Sequence, residues 1–269
     1  MRHYLVSDRI IRTIAPVISL VLIVLIWFVT ARLGLMPRSL LAPPDQAARS
    51  LLAGFVTGDI WPPLLATLTG AGLGYAIGSL LALVSAAVLA NSKWSERFLM
   101  AHVLAFQAIP KVALAPLIFI WCGFGLLSNV ILVAMSCYYP VFANAFVGFR
   151  ATDPNLIAMY RAFGSGRFRI LLAVQMPAAA SYIFVGLELG VVFALIAEVV
   201  MEFISGRPGL GSLIQEAAAT LDSANAFGAL ILLALLGISV SALIKLARWH
   251  VVFWDRRHDA TGIKELAPQ

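Results

Sequence analysis

The segment Thr152–Pro177, TDPNLIAMYRAFGSGRFRILLAVQMP, is the longest polar interruption between otherwise membrane-length apolar runs. Asp153 followed by Pro154 supplies an N-cap carboxylate and a first-turn proline, so a helix is expected to begin there and continue from Leu156 to Phe163. Gly164-Ser165-Gly166 breaks it. Arg167 to Val174 can form a second short helix, which Pro177 is expected to close before the next hydrophobic run. Arg161, Arg167 and Arg169 stand against the single acid Asp153, which places the segment on the cytoplasmic side. It reads as a docking element.

The composition fits that reading. With 269 residues, 61% hydrophobic and 12% charged, the chain is excluded from ordinary soluble proteins and reads as a polytopic membrane protein. Its net charge of +6 does not point to nucleic acid, because the basic residues are scattered at segment ends and form no basic surface interleaved with aromatics. Cys122 and Cys137 both lie in apolar segments, and His3, His102, His250 and His258 are dispersed, so neither a disulfide framework nor a metal site is expected.

Working outward, six apolar spans are expected at about 14–32, 64–90, 98–121, 130–149, 178–204 and 227–246. They leave an N-terminus at 1–13, a loop at 150–177 and a polar tail at 250–269. The first run lacks a small-x-small cleavage site and is read as a retained span. Pro43-Pro44-Asp45 opens a short amphipathic helix in the following outer loop. Gly70, Gly74 and Gly78 place three small residues on one stripe of the second span, which lets another helix approach closely. After the fifth span, a Gly/Pro-rich start and a helical Ser212–Leu221 suggest a re-entrant or interfacial piece.

Charge sets the orientation. With both termini inside, three basic residues fall in the N-terminus, two in the turn after Asn91, four from Arg150 through Arg169 and five from Lys245 onward. Only Arg32, Arg38, Arg49 and Arg207 remain outside. The expected architecture is an all-α membrane protein of six transmembrane helices, N-in and C-in, in a single domain over 14–249.

Four ionisable residues fall inside the spans: Lys111, Glu188, Glu198 and Glu202. Each is costly in hydrocarbon and should face protein or water. At about 100° per residue the three glutamates share an arc of about 80°, so the fifth span carries one acidic face. That face could line a pathway or gate, bond helix ends, or pair with Lys111. Pro110 and Lys111 interrupt the third span near its middle, where exposed backbone is tolerated only in a protein-lined cavity. Lys111 could meet an anion, pair with a glutamate or snorkel to the inner interface. No phosphate-binding loop, HExxH or GxSxG is present. Active transport would therefore draw its energy from a partner, whereas a partner-independent carrier or channel would use the intramembrane Glu and Lys residues themselves.

The opening segment resembles the cytoplasmic EAA loop of permease subunits of binding-protein-dependent ABC importers. Ala158-Met159-Tyr160 occupies the E-A-A positions, Gly164 the glycine and Met176-Pro177 the terminal pair, with Ala158 replacing the glutamate. PPDQAARSLL, IPKVALAPLIFIWCGFG and MEFISGRPGLGSLI look like the branch serving sulfonates, taurine, nitrate and pyrimidine-type precursors, so the resemblance covers nearly the whole chain. Glu202 and Gly209-Leu210-Gly211 match that branch, while Lys111 stands where a second proline is more usual and Glu198 is an addition.

The resemblance implies a type I importer bundle in the bacterial inner membrane, made of two identical permease copies, two ATPase subunits and a periplasmic or lipid-anchored substrate-binding protein. The ATPases would hold ATP and magnesium; this chain would bind no cofactor or metal and catalyse nothing. Coupling would fall to Asp153, Ala158, Met159, Arg161, Phe163, Gly164, Arg167, Arg169 and Pro177. Pro110, Lys111, Glu188, Glu198 and Glu202 would line the pathway or gate.

Overall fold

A computed structural model describes residues 2–254; of residues 2–14, 16, 17 and 93 only the backbone is described. Most of the expected tail at 250–269 therefore lies outside the described residues, which form helices and no strands.

Local chemistry places the helix ends. Helix α1 (Arg2–Arg32) is followed by α2 (Pro44–Thr57), which begins on proline and ends at Gly58 in the left-handed region, φ 91°. Helix α3 (Trp61–Asn91) passes through Ser92 into α4 (Lys93–Ala108), whose N-cap is the Ser92 hydroxyl accepting from the Ser95 amide. Ile109 and Pro110 are extended. A 3₁₀ turn at Lys111–Leu114 then leads into α5 (Ala115–Cys122), and the two halves meet at 83°. Helix α6 (Leu126–Arg150) carries Pro140 without a break. Then come α7 (Pro154–Ala162), α8 (Arg167–Ser205), α9 (Leu210–Ala219) and α10 (Ser223–Val251).

One expectation is corrected here. Pro177 does not close a short helix, because α8 runs unbroken from Arg167 to Ser205. The chain passes the proline through a π-turn at Leu171–Gln175, where the Met176 amide reaches back to the Leu171 carbonyl. Widening the helix just before Pro177 accommodates a residue that has no N–H and whose ring crowds the preceding turn.

Helices α3, α6, α8 and α10 are long and apolar enough to cross a membrane, and the bent α4–α5 pair makes a fifth candidate. The apolar part of α1 described is the shorter stretch Ile18–Arg32. Helices α3, α6 and α8 form the centre. Toward the Asn91 end of α3 and the Arg150 end of α6, Ala82, Ala86, Val141, Phe142, Ala145 and Ala179 pack together. Toward the other end Leu132, Val133, Cys137, Ala194 and Met201 do the same against Ile118 and Phe119 of α5.

Close approach depends on the glycine stripe. A Cβ at Gly74 would lie 2.6 Å from Val133 Cγ1, and one at Gly78 would lie 2.6 Å from Cys137 Sγ. Dispersion across this small-residue seam, rather than water exclusion, holds membrane helices together. A third cluster joins Ile60 and Leu210 to Leu232 and Leu236 of α10.

Candidate functional site

The segment opened by Asp153 forms a helical hairpin anchored by the buried Thr152 and Ile170. The Asp153 carboxylate accepts the Asn155 amide at 2.8 Å, so α7 starts where an N-cap acid and proline predict. Its end is fixed by Gly164 at φ 77°. The Gly164 amide bonds the Arg161 carbonyl at 2.9 Å and the Ser165 amide bonds Tyr160 at 3.0 Å, the paired closure of a Schellman motif. No residue of α7 is buried.

Helix geometry sorts the side chains of this hairpin. Leu156, Met159 and Phe163 share an arc of about 60°, and Arg161 lies about 170° from its centre. The apolar three are 39%, 47% and 82% exposed. Arg161 instead lines a cavity of about 450 Å³ with Asn91, Ser165, Gly166, Arg167 and Ile170. Phe168, at 72% exposure, is a further exposed aromatic that sequence reasoning passed over, since only its surroundings in the fold reveal it. Ala158, in the position of the E-A-A glutamate, lies within α7 and offers no carboxylate.

Far from this hairpin, two of the intramembrane acids, one helical turn apart, are each held by side chains of other helices. Glu198 and Glu202 are each 1% exposed. Asn129 Nδ2 of α6 donates to Glu198 Oε1 at 2.8 Å, and Thr67 Oγ1 of α3 donates to Glu202 Oε1 at 2.6 Å. The Gly211 amide donates to Glu202 Oε2 at 2.6 Å, while the Leu210 amide donates to Thr67 Oγ1 at 2.9 Å.

The orphan N–H groups at the start of α9 are thus satisfied by side chains of α3 and α8, and a carboxylate sits at a helix N-terminus, where the dipole favours it. Space for these acids comes from glycine. The Cβ position of Gly70 is occupied by the Glu198 carboxylate, and that of Gly209 by the Glu202 carboxylate. Glu198 Oε2 and Asn129 Oδ1 remain without hydrogen-bond partners. Thr67 and Asn129 were not legible as partners in the sequence, because a threonine or asparagine in an apolar run gives no hint of which helix it faces.

The other two intramembrane residues stay outside these bonds. Lys111 Nζ donates to Gln107 Oε1 at 2.7 Å, and no carboxylate lies within ion-pair distance among the described residues. The pairing of Lys111 with a glutamate is therefore not what forms. Glu188 is half-buried, with no partner among the described residues. Pro110 is exposed at the 83° break. No group of three or more His, Cys, Asp or Glu able to hold a metal occurs among the described residues.

Residues 74–253, well over half the chain, match the family described as binding-protein-dependent transport system inner membrane component. The chain belongs to that family. This permease is also 34% identical over 238 residues to the riboflavin transport system permease protein RibX of Chloroflexus aurantiacus, covering 88% of this chain and 89% of that one. It is 33% identical to a protein of Haemophilus influenzae named "probable ABC transporter permease protein", over 83% and 90% of the two chains. To the taurine transport system permease protein TauC of Escherichia coli it is 26% identical, over 86% and 88%.

The permease is accordingly a multi-pass inner-membrane subunit of an ABC transporter. It is non-catalytic, working with a separate ATPase and a substrate-binding partner.

Proposed function

We propose that this permease forms, with a second identical copy, the translocation pathway of an ATP-driven importer for a small solute. Each copy crosses the membrane six times, N-in and C-in, with α1 and the bent α4–α5 pair completing the set. The solute is delivered by a periplasmic or lipid-anchored binding protein. Its class is a sulfonate-, taurine- or nitrate-like anion or a pyrimidine-type precursor, a spread in keeping with relatives named for riboflavin and for taurine.

Coupling runs through residues 152–177. The observation that carries this reading is α7 itself, a capped helix with no buried residue that presents Leu156, Met159 and Phe163 to solvent. An apolar helix face of that kind fits a groove on an ATPase subunit. Asp153 and Gly164 fix its ends, Ala158 lies on the docked helix, and Arg161, Arg167 and Arg169 add charge. Pro177 and its π-turn lie where the motion enters α8, and ATP closure then rocks the bundles between inward and outward openings. Pro110, Lys111 and Glu188 face the pathway. Glu198 and Glu202 hold the gate helices in register.

Co-purification tests the coupling. The ATPase should be captured by the wild-type permease and lost with Phe163→Asp or with charge reversal at Arg161, while membrane insertion persists. Normal capture by both variants contradicts the docking. In reconstituted liposomes, solute flux driven by an ion gradient without any ATPase would overturn the importer reading in favour of a secondary carrier or channel.

A further inference from the structure

The geometry points to a second ligand site: the cavity behind α7 binds a phosphate-type anion, held between Arg161 and Arg167. That cavity, about 450 Å³, is walled by Asn91 at the end of α3, by Arg161 on α7, by Ser165 and Gly166 in the turn, and by Arg167 and Ile170 at the start of α8. Arg161 and Arg167, two exposed arginines from different helices, therefore border one space.

Neither arginine has an acid to neutralise it. The ion pairs among the described residues are Arg32 with Asp45 and Arg150 with Glu96. Asp153, the acid of this segment, is spent on the Asn155 amide. Two like charges bordering one cavity repel each other, and an anion between them offsets that repulsion. The planar forks of arginine suit phosphate oxygens, which can each take two N–H donors, and Ser165 borders the same cavity.

The walls do not supply a competing acceptor. Asn91 is engaged on both atoms, donating to the Ala87 carbonyl at 2.9 Å and accepting from Gln175 Nε2 at 2.9 Å. The second of these bonds ties the cavity wall to the π-turn of α8. An anion bridging Arg161 and Arg167 spans the Ser165-Gly166 turn and so sets the angle between the coupling helix and the long helix behind it.

The site does not overlap the apolar docking face. Arg161 lies on the side of α7 opposite Leu156, Met159 and Phe163, so its charge acts on ATPase docking through the angle of the hairpin and not through that apolar face. Two sources share the chemistry: the phosphodiester of an anionic inner-leaflet lipid, or free phosphate. Anionic headgroups are concentrated at that surface, and basic pockets beside membrane helices capture them.

The full-length permease purified from phosphatidylcholine membranes with or without phosphatidylglycerol separates these sources by native mass spectrometry, and inorganic phosphate titrated onto the detergent-solubilised chain is the second arm. Preferential retention of phosphatidylglycerol that phosphate does not displace assigns the lipid. Saturable phosphate binding without lipid preference assigns the free anion, and either result supports the site.

Arg161→Gln with Arg167→Gln should weaken the bound probe by about tenfold for each arginine removed. The corresponding lysine pair should keep part of the affinity, and Ser165→Trp should fill the cavity and abolish binding. A wild-type chain that holds neither probe, or a double glutamine variant that holds either one as well as wild type does, overturns the inference. Because both readouts are binding to the permease alone, their failure is distinguishable from loss of ATPase capture.

Discussion

Thr67 and Glu202 stand 135 positions apart in the chain, yet the threonine hydroxyl donates to the carboxylate at 2.6 Å in a fully buried contact. The same hydroxyl oxygen accepts the Leu210 amide, so one small side chain joins three helices. Removing it leaves both a carboxylate oxygen and a helix-terminal amide unsatisfied in an apolar interior.

Thr67→Val should therefore cost about 1–3 kcal/mol, the usual penalty for orphaning a buried polar group. The variant is nearly isosteric, so packing loss contributes little. Thermal unfolding of the detergent-solubilised permease reads the effect, and Thr67→Ser should recover most of it. A valine variant that melts with the wild type contradicts a structural role for this contact.

Gly70 gives way to the Glu198 carboxylate, which occupies the space of its absent Cβ. Gly70→Ala should lower stability by an overpacking cost of about 1–3 kcal/mol. If the clash is with that carboxylate, the loss should shrink in the Glu198→Ala background, giving a non-additive double-mutant cycle. Additive losses would place the strain elsewhere.

Gly164 takes φ 77° at the end of α7. A β-branched side chain resists this conformation at a cost of order 1–3 kcal/mol, whereas asparagine tolerates it. Gly164→Val should abolish ATPase capture with membrane insertion intact, and Gly164→Asn should retain capture. Equal capture by the two variants would show that the turn geometry does not matter for docking.

Arg150 pairs with Glu96 at 2.8 Å, joining the end of α6 to the first turn of α4, and lies over the Phe146 ring. The arginine side chain is 48% exposed. Its replacement by glutamine should cost no more than about 1 kcal/mol, and the difference should fade as salt is raised. A larger, salt-insensitive loss would mean that this pair is the main anchor of α4, in which no residue of described burial is buried.

Much of this was written into the sequence, because it depends on local chemistry. Apolar run length and low charge determine an all-helical membrane protein. Asp153-Pro154 determines the start of α7, and Gly164 its end, since caps act through bonds within a few residues. Pro110 marks the break in the α4–α5 pair because proline removes a backbone donor whatever the surroundings. The spacing of the three glutamates also put Glu198 and Glu202 on one face of their helix.

Only the tertiary structure decided what those residues meet. Rotation of α8 against α3 and α6 gives Glu198 to Asn129 and Glu202 to Thr67 and α9, while Lys111 goes to Gln107 and Glu188 stays apart. Likewise Pro177 looked like a terminator, and a π-turn carried the helix through it. In Thr152–Pro177, Arg161 lies opposite the exposed apolar face of α7 and borders a cavity with Arg167. Periodicity fixes the relative angles of side chains on one helix, but which neighbour fills each direction depends on contacts between residues distant in sequence.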